Sequence, residues 1–180
     1  MFSFYTRALK QRPVATKTLT AITLATVGDL LAQRTSGAPR ARADDYARTA
    51  RFAAWAGLIA PLTHMWFARL SRLPSPLLAA AADQLLWAPP FTAMFLFAMG
   101  AAEAGTVGEG VSRCRSSWRS VLLANWLVWM PVQALNFWLV PLPFQVLVTN
   151  VVGLGWSVAL SAMSQKKGDK APKEAPADSD

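Results

Sequence analysis

Asn125, Trp129, Gln133 and Asn136 are spaced four, four and three residues apart, so any helix that contains them carries all four on one face. Their chemistry is hydrogen bonding: three amides that donate and accept, and one indole N–H that donates. Asp29 has Gln33 four residues on, His64 follows Pro61 by three, and Asp83 and Gln84 stand one turn before Trp87. A lone histidine in an apolar segment is a proton relay, a pH sensor or, more commonly, a hydrogen-bonded packing residue. No Ser/His/Asp set and no pair of carboxylates shares a helical face, so the pattern predicts no enzyme and no catalytic residue. One cysteine, Cys114, and one histidine make neither a disulfide nor a Cys/His zinc site. Cys114 lies between Arg113 and Arg115 with no base beside it and reads as an incidental loop thiol. No cofactor-binding or metal-binding residue is expected.

The elements that position these residues are apolar. Hydrophobic residues make up 53% of the chain and charged ones 16%, against the roughly 25% charged of an ordinary soluble domain. From Ser120 to Gln165 there is no Asp, Glu, Lys, Arg or His. As one helix this run would reach roughly 70 Å, more than twice the ~30 Å hydrocarbon core of a bilayer. Pro141-Leu142-Pro143 breaks it, because proline removes a backbone donor and disfavours helix in the residue before it. The reading is a span over 120–140, a tight turn, and a span over 144–164. Two further spans are read over 52–70 and 77–102. Membrane helices tolerate Pro61, Pro89 and Pro90 when neighbours satisfy the freed carbonyls. The fold class is therefore all-α, an integral membrane bundle of four to five helices over residues 1–165, with a polar, disordered tail over 166–180.

The segment 18–33 is either a first span or a helix lying at the interface. If it crosses, basic residues divide six on the N-terminal side against twelve on the other; if it does not, they divide sixteen against two. Positive residues gather on the inner side, so the sharper division favours four crossings with both termini inside. The first 28 residues hold Arg7, Lys10, Arg12 and Lys17 and no acid. That suits a mitochondrial targeting segment or an uncleaved interfacial arm equally. The formal charge of +8 does not imply nucleic-acid binding, since the basic residues are scattered without an interleaved stacking platform.

A face of amides facing hydrocarbon would cost several kcal/mol for each unpaired group, so Asn125, Gln133 and Asn136 must meet other helices or water. That leaves an interhelical seam, or the lining of a path for small solutes with Asp29, Asp83 and His64 at its mouths. Thr149, Gly153, Ser157 and Ser161 recur every four residues, a spacing that lets helices approach closely within one chain or in a homo-oligomer. The partners expected are the lipid bilayer, small solutes and further copies of the chain.

Several fragments together resemble the Mpv-seventeen / peroxisomal membrane protein family. They are Tyr5, Leu9, Pro13 and Thr18 before Gly28-Asp29-Leu30-Leu31-Ala32-Gln33; Asp45, Arg48, Arg51, Gly57, Pro61, His64, Trp66-Phe67 and Leu70; and Asp83-Gln84 with Ala88-Pro89. Trp118 through Trp129, Gln133, Asn136-Phe137 and Val140-Pro141, then Trp156 and Leu160-Ser161, form the most specific piece. The resemblance covers about residues 4–164. It implies a multi-pass membrane protein of the mitochondrial inner membrane or, alternatively, of the peroxisome, channel-like or concerned with metabolite homeostasis, and without known catalysis. Three departures stand out: Met130 separates Trp129 from Pro131, Gln145 replaces a usual arginine, and the Ala79–Ala82 run replaces a usual lysine. If those two cations serve gating, this chain conducts or gates differently.

Overall fold

The computed structural model describes the backbone of residues 2–35 and 43–168 and the side chains of 4–34 and 45–155. Its elements are helices α1 (Phe2–Gln11), α2 (Pro13–Thr35), α3 (Ala43–Leu70), α4 (Pro76–Ala82), a π-helical turn (Asp83–Trp87), α5 (Ala88–Ala104), α6 (Val107–Leu139) and α7 (Leu142–Gly168). There is no strand among the described residues. The expected tail from residue 166 overlaps the end of α7, and its remainder, 169–180, lies outside the described residues.

Each boundary has a local cause. Pro13 opens α2, where a missing N–H costs nothing, and the chain passes from α1 with Arg12 N–H still bonded to the Ala8 carbonyl. Pro76 does the same for α4 after the 71–75 turn. Gly105 closes α5 at φ 71°, a left-handed conformation that an L side chain would resist. Thr106 then caps α6, its hydroxyl accepting from Glu109 N–H at 3.4 Å. Val140 leaves the helical region at φ −100°, ψ 125°, as its place before Pro141 requires.

The helices α4, π turn and α5 form one rod, and successive rods run antiparallel. Trp66 stacks on Trp87 and Phe52 meets Phe95 between α3 and this rod. Trp118 and Trp126 of α6 donate to the Pro89 and Gln84 carbonyls. The π register explains the second bond. With i→i+5 pairing, the Gln84 carbonyl would accept from residue 89, which is proline, so the Trp126 indole takes the orphan at 3.0 Å. Near the far end α5 and α6 cross so closely that a Cβ on Gly110 would lie 2.7 Å from the Phe97 carbonyl oxygen.

Polarity is inverted relative to a soluble domain. Asp83, Thr92, Gln133 and Asn136 are buried, whereas Leu127 is 82% exposed and Leu77, Leu86 and Trp138 also face outward. Apolar exteriors and polar interiors suit a lipid surround. The small apolar cluster of Phe67, Leu70, Ala79 and Val146 sits at the end where α4 and α7 begin.

Two helices are long and apolar enough to cross a membrane, Pro13–Arg34 and Pro76–Ala104, with a shorter apolar helix over Leu142–Gly155. This departs from the four-crossing preference drawn from charge counting. The helix that preference left outside, α2, packs along both α3 and α7 as a full-length member of the bundle. Its charges are absorbed there: Asp29 is paired with Arg48, and Lys17 lies against His64.

Candidate functional site: a buried carboxylate seam

Asp83 is the centre of the seam. It opens the π turn, where one extra residue in the turn shifts the side-chain register, and it is 2% exposed. Its Oδ1 accepts from the Trp66 indole at 2.9 Å. Its Oδ2 accepts from Gln84 Nε2 and Gln133 Nε2, both at 2.8 Å. All three donors are neutral, and no cation reaches this carboxylate among the described residues.

The chain of bonds continues into α7. Gln133 Oε1 accepts from Asn136 Nδ2 at 3.0 Å. The same Nδ2 also approaches the Gln145 carbonyl and Thr149 Oγ1, each at 3.3 Å. Gln145 Nε2 donates to the Val140 carbonyl at 3.1 Å. Gln133, Asn136 and Gln145 are all buried. The amide face of α6 is therefore a hydrogen-bonded seam in this conformation, with Gln133 and Asn136 at its heart. Asn125 stands two turns off, donating to Thr92 Oγ1 at 3.4 Å. Trp129 lies against Gly153.

Asp29 and Gln33 lie elsewhere, between α2 and α3. Asp29 Oδ1 meets Arg48 Nε at 2.9 Å, and its Oδ2 accepts from Gln33 Nε2 at 2.6 Å and Thr49 Oγ1 at 2.7 Å. His64 forms a third group, its Nδ1 3.0 Å from Lys17 Nζ. The structure thus joins Asp83, Gln84, Gln133 and Asn136, and keeps Asp29, Gln33 and His64 apart from them. Thr149 and Gly153 of the small-residue stripe face Asn136 and Trp129 of the same chain. The side chains of Ser157 and Ser161 lie outside the described residues. Among the described residues no three His, Cys, Asp or Glu side chains gather as metal ligands would.

Several participants were not singled out as site residues from sequence. Lys17 is 4% exposed although it reads as a flanking cation. A signal was there: Lys17, Ala21, Gly28 and Ala32 share one face, and all four are buried. Trp66 and Thr49 carried no such signal, because their partners lie on other helices.

A profile of the Mpv17 / PMP22 family matches residues 100–161. Protein SYM1 of Gibberella zeae is 34% identical over 167 residues, 88% of this chain and 94% of that protein. The chain belongs to the Mpv17 / PMP22 family. Other relatives are the mitochondrial inner membrane protein Mpv17 of Caenorhabditis briggsae, 30% identical over 89% of this chain and 91% of its own, and peroxisomal membrane protein 2 of Bos taurus, 30% identical over 91% and 89%. No solved structure matches. Membership in the Mpv17 / PMP22 family makes the chain a membrane protein of mitochondria or peroxisomes. The matched stretch contains Asn125, Trp129, Gln133 and Asn136, the α6 side of the seam.

Proposed function

We propose that the chain is a multi-pass protein of the mitochondrial inner membrane, with the peroxisomal membrane as the alternative, and that it provides a channel-like path for small solutes. The observation that carries this reading is the polar seam from Gln145 through Asn136 and Gln133 to Asp83 inside an apolar exterior. A carboxylate and three amides held within lipid-facing helices are costly to maintain, and in membrane proteins such groups mark solute pathways. The path is shut in the conformation described, since Asn136 is only 1% exposed. Opening requires α6 to part from the π turn. The reading assigns no catalytic chemistry, and its partners are lipid, small solutes and other copies of the chain.

The test is solute flux in liposomes holding purified, folded protein. Flux limited by solute size, changed by Gln133→Leu and by Asp83→Asn, supports the path. Folded wild-type protein without flux above empty liposomes refutes it. A second reading, a non-conducting structural role, is favoured by the burial of the seam. It expects Gln133→Leu to weaken folding while leaving flux unchanged.

A further inference from the structure

A cavity of about 250 Å³ lies where the 71–75 turn meets the α6–α7 turn. Leu70, Leu73, Phe137 and Leu142 give it apolar walls, Ser75 stands at its edge, and Gln145 lines it. Gln145 is 5% exposed, and its Oε1 is buried with no hydrogen-bond partner. The orientation of this amide is settled by its neighbour. Nε2 faces the Val140 carbonyl, which can only accept, so Oε1 is the atom left free. A buried acceptor without a donor costs about 1–3 kcal/mol, so the site favours a molecule that brings one.

We infer that this cavity binds a small neutral molecule with an aliphatic body of a few carbons and a hydroxyl group that donates to Gln145 Oε1. The apolar walls exclude a fully hydrated polar solute. No lining residue carries a charge to neutralise an ion. Arg69 and Arg72 stand in and beside the turn that shapes the cavity, which disfavours a cationic donor. An acceptor-only anion offers nothing to Gln145 Oε1. At this volume the occupant is a small solute rather than a whole lipid, since drug-sized ligands need ~300 Å³ or more. Behind Gln145 the bonds run through Asn136 and Gln133 to Asp83, so the cavity is the mouth of the seam. That last role rests on the solute-path reading, whereas binding itself does not.

The test reads binding apart from flux. Full-length protein carrying Ser75→Cys is placed in liposomes and labelled with a maleimide, and the two thiols are followed separately by mass spectrometry. Ser75 makes no side-chain cap bond, so the exchange is mild, and native Cys114 on α6 is the internal control. n-Butanol should slow labelling of the introduced thiol at least threefold and leave Cys114 unchanged. n-Butylammonium and butyrate at the same concentration should protect neither. Adding Gln145→Leu should abolish the protection without lowering the melting temperature. Equal protection by butyrate, equal slowing of both thiols, or protection that survives Gln145→Leu overturns the assignment. Should Gln145→Leu not fold, Leu73→Trp fills the cavity from its exposed side. Labelling should then be slow without alcohol and unchanged by it, and any other result overturns the assignment. Protection without flux defeats the path reading and keeps the site; flux without protection does the reverse.

Discussion

The bundle holds two buried aspartates in opposite electrostatic situations. Asp29 has a guanidinium 2.9 Å away and two further donors from Gln33 and Thr49. Asp83 has three donors and no cation, because Trp66, Gln84 and Gln133 are all neutral. Arg48 is itself 42% exposed, so the Asp29 group reaches the surface, whereas the Asp83 group is enclosed by four helical segments. One carboxylate therefore ties two helices together with its charge balanced. The other concentrates an unbalanced acceptor in the interior, where it is costly for stability and available for function.

The comparison can be broken most sharply at Asp83. Asp83→Leu strips the acceptor from three buried donors at once. At about 1–3 kcal/mol for each orphaned group the loss should amount to several kcal/mol, seen as a large drop in unfolding midpoint in lipid or detergent. A change under ~1 kcal/mol would show that the seam is not held through Asp83. Arg48→Met should cost less. Breaking a fully buried pair costs about 3–5 kcal/mol, but the exposure of Arg48 lets solvent screen the charge left on Asp29, so about 1–2 kcal/mol is expected. The same contrast has a salt test: raising ionic strength should narrow the gap between wild type and Arg48→Met and leave the Asp83→Leu deficit unchanged. Thr49→Val removes one hydroxyl bond to Asp29 while Gln33 and Arg48 remain, and should cost about 1 kcal/mol in the same unfolding measurement. The smallest effect is expected at Lys17, whose ammonium has a histidine for a partner rather than an acid. Lys17→Met keeps the volume and removes a buried charge, so stability should shift by no more than about 1 kcal/mol in either direction. A larger loss would mean that the Lys17–His64 contact clamps α2 to α3.

Legibility from sequence followed the range of the interactions. The α6 face of Asn125, Trp129, Gln133 and Asn136 was readable because helical periodicity is a local property, and Gln133 and Asn136 sit in the seam. The membrane class was readable from the charge-free run and was reached independently through the family relatives. The role of α2 was misjudged for an identifiable reason. Counting cations treats Lys17 and Asp29 as flanking charges, and only the pairing of helices shows them absorbed by His64 and Arg48. Gln145 drew attention as a departure from the family pattern, yet nothing local disclosed that its amide lines a cavity.

By itself the sequence determined where helices start and stop, through Pro13, Pro76, Gly105 and Pro141, and which residues share a helical face, because these depend on backbone geometry within a few residues. Tertiary structure alone decided which faces meet. Gln133 finds Asp83 across 50 residues of chain, and the Trp126 indole finds the carbonyl that Pro89 leaves open. Such partners are fixed by how whole rods rotate and slide against one another, with the condition that every buried polar group be matched to some donor or acceptor. That condition is collective, so no window of sequence contains it.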